Sequence, residues 1–153
     1  MAIFEAAATK TTGAAAGIIA VIVPAALGSG VAPPEIREIG IFNVGGTNAA
    51  EIGIGIPAAA GTGSLTSVTA LDITNFGRTG HTLLGTSYAT TQPTAPSNFF
   101  RRAEVQAVVG TGLIWTWAPG EWPLWAGATV NTAIIWQISN LAVTYDVYVK
   151  VSE

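Results

Sequence analysis

Val143-Thr-Tyr-Asp-Val-Tyr-Val-Lys-Val151 alternates apolar and polar residues without a break. A period of two puts successive side chains on opposite faces, so this segment predicts a half-buried strand. Val143, Tyr145, Val147, Val149 and Val151 share the core face, and Thr144, Asp146, Tyr148 and Lys150 the wet one. The same spacing recurs upstream. Ile52, Ile54 and Ile56 alternate with Gly53 and Gly55 until Pro57 stops the run. Its bare glycine face must lie close to another backbone or be covered. Glu35 to Phe42 carries Ile39 and Ile41, and the Val44-Gly-Gly-Thr-Asn48 turn after it predicts a hairpin with the 52–56 strand.

Further strands are expected at Val68–Ile73, Leu83–Tyr88, Ala103–Val109, Leu113–Trp117 and Thr132–Ile138. The last of these sets Ile134, Trp136 and Ile138 on one face, while Trp115 and Trp136 are expected to be core. Thr90 to Asn98 is broken by prolines and predicts a surface crossing. No segment of ten or more residues has a capped 3.6-residue period. Short strands spaced about ten residues apart predict one all-β domain, as a sandwich, jelly roll or barrel.

The first 33 residues differ from the rest. Gly13 to Gly28 is free of charge, but at about 16 residues it falls short of the ~20 that span a bilayer, and Pro24 interrupts it. Glu5 and a single Lys10 precede it, where a secretory signal would carry a basic region. A buried strand over Gly17 to Val23 is the expectation; a cleaved signal within a secreted sandwich is the competing one. Residues 1–33 therefore stand as an Ala/Gly-rich arm or as the first strands, with residues 34–153 as the sandwich proper.

Of the 153 residues, 10% are charged, against about 25% in an average protein, and half are hydrophobic. That balance excludes a disordered chain. A net charge of −3 argues against a nucleic-acid binder, which would show a basic stripe. The absence of cysteine removes disulfides, thiolate metal ligands and cysteine nucleophiles. His81 is the single histidine, and its flanks, Gly77-Arg-Thr-Gly-His81-Thr-Leu-Leu-Gly85, place it beside a turn. Asp72 is nine residues away and no serine lies in a Gly-x-Ser-x-Gly elbow, so no triad can be drawn. Gly-Gly-Thr and Gly-Thr-Gly-Ser lack the Lys-Ser/Thr of a phosphate loop. A non-enzymatic protein without cofactor or metal is expected.

The side chains left for function are contact-makers. Four of the five tryptophans fall in the 115–125 stretch, and Trp122 and Trp125 sit in a loop with Pro119 and Pro123, where they suit an interface, a lid or a glycan platform. Arg101 and Arg102 follow Phe99 and Phe100. Being adjacent on a strand they point to opposite faces, either paired locally or reaching Glu35 or Glu38 of another subunit. Together with Ile19 and Ile22 of the apolar segment, these four form the candidate interface.

Several stretches resemble a family of small virion-associated proteins of tailed bacteriophages and prophages. They are Ser97-Asn-Phe-Phe-Arg-Arg102, Val108-Val-Gly-Thr-Gly-Leu-Ile-Trp-Thr-Trp117, Ala126-Gly127 and Tyr145-Asp-Val-Tyr-Val149. The opening Phe4-Glu-Ala-Ala-Ala-Thr-Lys-Thr-Thr-Gly-Ala-Ala-Ala-Gly17, Arg37-Glu-Ile-Gly-Ile-Phe42 and Ile52-Gly-Ile-Gly-Ile-Pro57 also resemble it. The chain departs from that pattern at Ile56, where an arginine is expected, and in its additional tryptophans between 117 and 125. The resemblance implies a jelly-roll-like structural protein on the capsid surface, a head decoration or cement subunit. Its partners would be the major capsid protein or other virion proteins. Self-association is also implied, with a trimer expected over a dimer, and neither nucleic acid nor membrane as a partner. The alternative is a tail or fibre module that binds a host glycan through Trp122 and Trp125.

Overall fold

The computed structural model describes residues 2–24, 34–75, 77–121 and 133–153. Ten strands occur among them: β1 (Ile3–Thr11), β2 (Gly17–Pro24), β3 (Glu35–Gly45), β4 (Ala50–Pro57), β5 (Leu65–Asp72), β6 (Thr79–Tyr88), β7 (Pro96–Val105), β8 (Gly112–Thr116), β9 (Ala133–Gln137) and β10 (Thr144–Ser152). All pair antiparallel in one sheet of order β7-β4-β9-β2-β6-β5-β1-β10-β3-β8. The wiring is simple once β5 and β6 are set aside. β1 lies on β10, β2 on β9, β3 on β8 and β4 on β7. The chain is thus a two-stranded ribbon wound round a single core, which is the jelly-roll arrangement of an all-β sandwich. β5 and β6 form a hairpin that fills the seam between β1 and β2 and joins the two layers.

Residues 3–24, for which an arm and the first strands were both open, form β1 and β2, and both lie well inside the sheet order. The hairpin expected between β3 and β4 does not occur. β3 pairs with β10 and β8, and β4 with β9 and β7, because consecutive ribbon strands pass to opposite layers. The strand expected at Ala103–Val109 instead spans Pro96–Val105, and Val108 and Val109 lie in the loop after it.

The core follows the alternation. The inward residues of β10 are all 0–2% exposed and meet Ile36, Ile39 and Ile41 of β3 and Phe4 and Ala6 of β1. Burial of a Val or Ile side chain is worth about 1.5–3 kcal/mol, so these few positions together match the net stability of a whole domain. In β2 a register shift between Ile18 and Ala20 resets the alternation. Ile19, Ala20 and Ile22 therefore face the main core, while Ile18 and Val21 join Ile134, Val23, Tyr88 and Trp136 in a second cluster. Trp115 is core as expected, but Trp136 belongs to this second cluster and is only half-buried.

The glycine face of β4 is covered by the chain itself. A Cβ on Gly53 would stand 2.5 Å from the Phe99 ring, and one on Gly55 2.5 Å from the Asn98 carbonyl oxygen. Bare backbone there lets β7 lie close, with Phe99 flat across the strand and the Arg102 guanidinium 5.7 Å from that ring's centre.

A buried polar cluster ties the two layers together at one end. The Gln137 side chain, fully buried at the end of β9, accepts hydrogen bonds from the Thr12 hydroxyl (2.7 Å) and the Tyr145 hydroxyl (2.9 Å). Its amide nitrogen donates to the Ser139 carbonyl at 2.8 Å and to that of Leu141. Burial pushes the Tyr145 phenol up to about 12.

Candidate interaction surface

The residues expected at an interface part company. Ile19 and Ile22 are fully buried in the main core, so they cannot contact another chain. The β2 register shift is the reason, because it turns both inward. Trp122 and Trp125 lie outside the described residues. Arg101 and Arg102 do point apart, but both have partners within this chain. The Arg102 guanidinium pairs with Glu51 on neighbouring β4 at 2.6 Å. Arg101 lies 4.4 Å above the Trp117 ring. That stack spans from edge strand β7 to the end of edge strand β8 and bridges the seam that the β5–β6 hairpin leaves open. The acidic residues considered as inter-subunit partners are engaged too: Glu35 with Arg37 at 2.9 Å, and Glu38 with Lys150 at 2.8 Å.

His81 is exposed on β6, where its backbone N–H donates to Glu153. Asp72 is 3% exposed, yet its work is structural. One carboxylate oxygen accepts from the Thr74 hydroxyl and from the N–H groups of Thr74 and Asn75, which holds the carboxyl below its usual range and fixes the turn into β6. Among the described residues, no three His, Asp or Glu side chains stand close enough to hold a metal ion. No helix among them is long and apolar enough to cross a membrane.

Two apolar surface features stand out instead. The first is the Gln106–Thr111 loop between β7 and β8. Val108 and Val109 are 63% and 61% exposed at its tip. The loop is nevertheless held firmly. The fully buried Asn43 side chain donates to the Gln106 carbonyl at 3.1 Å, and the Asn43 backbone bonds Thr111 and Gly110 at 2.8 and 2.7 Å. The Thr111 hydroxyl donates back to the Val108 carbonyl at 2.6 Å, and Gly110 supplies the positive φ (90°) that closes the turn. Sequence reasoning missed this tip by extending β7 through it. The Gly110-Thr-Gly112 turn was legible, but β7 ends at Val105, four residues short of it.

The second feature is the outer face over β8, β3 and β10. Ile114, 52% exposed, pairs across to Gly40, and Gly40 to Tyr148. The Tyr148 ring lies over Gly40, where a Cβ would come within 2.1 Å of it, and stacks on Phe42 with centroids 6.3 Å apart. Beyond it the small Ala7 of β1 floors a shallow trough lined by Leu71 and Ile73, both about two-fifths exposed. Tyr148 is not the plain wet-face residue its position suggests. Its hydroxyl donates to Glu38 at 2.7 Å, beside Lys150 on the same oxygen.

These contacts make a prediction about pH. Hydrogen bonds from Lys150 and then Tyr148 hold the Glu38 carboxyl below its ordinary value, so its contribution is present above about pH 4.5 and is lost on acidification. The hydrogen bond to Glu38 raises Lys150. Burial, then Glu38, pushes the Tyr148 phenol up to about 12. Groups raised in the folded state stabilise it below their unfolded value and lose that effect as pH climbs toward the folded one. Urea midpoints should therefore hold level between about pH 5 and 10 and fall on either side. Tyr148→Phe should flatten part of the alkaline fall and leave the remainder from Tyr145, Tyr88 and Lys150.

The class is thus an all-β jelly roll, with two apolar contact features on its surface and its charged groups mostly paired within the chain. Compared with known proteins, the chain matches no family model, no curated protein and no solved structure.

Proposed function

We propose that this chain is a non-enzymatic structural subunit of a phage virion, a decoration or cement protein that bridges capsid subunits on the particle surface. The observation that carries the reading is the Val108–Val109 tip. An apolar pair held in water by a hydrogen-bonded loop costs solvation, and pre-organisation lowers the ordering cost of docking it in a partner's pocket. The low charge, the jelly-roll wiring and the resemblance of 97–102, 108–117 and 145–149 to virion-associated proteins support the same conclusion.

The test compares particles assembled with and without the protein. Complete particles should survive heating and low salt that open the deficient ones, and Val108→Ser with Val109→Ser should fold normally yet fail to protect. Deficient particles as robust as complete ones would overturn the proposal. Binding to a glycan array, lost in Trp122→Ala with Trp125→Ala, would move the function to a tail or fibre module.

A further inference from the structure

We infer that two copies of this chain pair through β8, edge to edge and antiparallel, with Ile114 on the two-fold axis. The inference does not depend on the virion reading. It starts from which sheet edges remain. The β5–β6 hairpin closes one seam of the jelly roll, so β7 and β8 are the terminal strands of the described sheet. β7 carries the usual protections of an edge, namely Pro96 at its start and Arg101, Arg102 and Glu104 along it. β8 carries none: Gly112-Leu-Ile-Trp-Thr116 has no charge and no proline.

The hydrogen-bonding groups of β8 are arranged for self-pairing. Thr111 accepts from the Asn43 N–H, and the Trp117 N–H donates to Arg37, both on β3. Backbone groups alternate sides along a strand, so Leu113 and Trp115 also face β3. Gly112, Ile114 and Thr116 therefore aim their N–H and C=O groups away from the sheet. An antiparallel copy centred on Ile114 sets Ile114 against its own equivalent and Gly112 against Thr116, in both directions. Each of these three pairs can exchange two N–H···O=C bonds, satisfying every outward group of the strand.

The side chains agree. On the outer face, Ile114 meets Ile114 of the second copy, extending the apolar line from Tyr148 through Gly40 and across the axis. On the inner side Leu113 falls opposite Trp115. Arg101, stacked on Trp117 just past β8, lies at each end of the seam opposite Thr111 of the second copy, and the paired Glu38 and Lys150 stand one and two strands back, so no like charges face each other there. A five-residue edge buries less than a standard interface of about 1,600 Å², so the free dimer should be weak, with a Kd on the order of micromolar.

Sedimentation velocity of the intact protein from roughly 1 to 300 µM, a range bracketing that affinity, tests this. The expected result is a shift from one to two chain masses. Ile114→Lys places two ammonium groups against each other and should leave a monomer with an unchanged circular-dichroism spectrum. Ile114→Pro removes only an outward N–H and should do the same. Should either variant misfold, Thr116→Lys reads the same edge. A wild-type chain monomeric throughout, a mass of three chains, or a dimer that survives a folded edge variant would each overturn the inference.

Discussion

Val147→Asp should leave no folded protein at 25 °C, seen as loss of the cooperative unfolding transition. Val147 is 2% exposed at the middle of β10, between Ala8 of β1 and Ile41 of β3. It belongs to the main core cluster, which has no charged member. An isolated buried charge costs several kcal/mol even after relaxation, and proton uptake would offset only part of that. A domain holds about 5–15 kcal/mol in total. The comparison variant is Asp146→Asn, one residue along on the exposed face. It keeps an acceptor for the Thr9 hydroxyl and should move stability by less than about 1 kcal/mol. Near-equal effects of the two would mean that the register of β10 is wrong by one residue.

Gln137→Leu should cost on the order of 3 kcal/mol, read from urea unfolding, with the fold retained. Leucine matches the shape of the glutamine stem, but it strands the Tyr145 hydroxyl in the core, a buried orphan that costs about 1–3 kcal/mol, and it takes one partner from the Thr12 hydroxyl, which keeps the Val143 carbonyl at 3.1 Å. It also frees the Ser139 and Leu141 carbonyls that set the β9–β10 turn, although these lie near enough to the surface to find water. Tyr145→Phe in the leucine background should recover part of the loss, because it removes the orphaned hydroxyl. A strictly additive double variant would show that the three side chains do not act as one network.

Strand existence was legible in the sequence wherever one face is dry. β10 and β4 show it, with Val and Ile at every second position. Pairing was not legible. β3 and β4 are separated by a Gly-Gly turn that suits a hairpin, yet the ribbon sends them to different layers, and nothing within ten residues encodes that choice. The roles of Ile19 and Ile22 were hidden for a local reason: the extra residue at the β2 register shift changes which side chains face inward, and a run of Ile, Ala and Val has no polar residue to reveal the reset. Which groups the arginines meet was hidden by distance. The partners of Arg101 and Arg102 are Trp117 and Glu51, 16 and 51 positions away in the chain. Of the candidate surface, the tip at Val108 and Val109 was obscured because valine favours strands, and its exposure depends on Asn43, a residue from another strand.

Pairing β1 with β10 has a consequence for how the molecule is made. β1 leaves the ribosome before the nine strands that follow it and finds its main partner only when β10 has been synthesised, and the next three ribbon strands wait in the same nested order. No amino-terminal fragment that stops short of β9 contains a finished layer. Loops of this length close slowly, and folds dominated by such pairings form in milliseconds to seconds rather than microseconds. Until β6 and β7 have emerged, the apolar β2 and β4 segments stand unpaired in a chain with little charge to keep copies apart. Yield in the cell should therefore follow the rate of synthesis and the supply of chaperones more closely than it follows the stability of the finished fold.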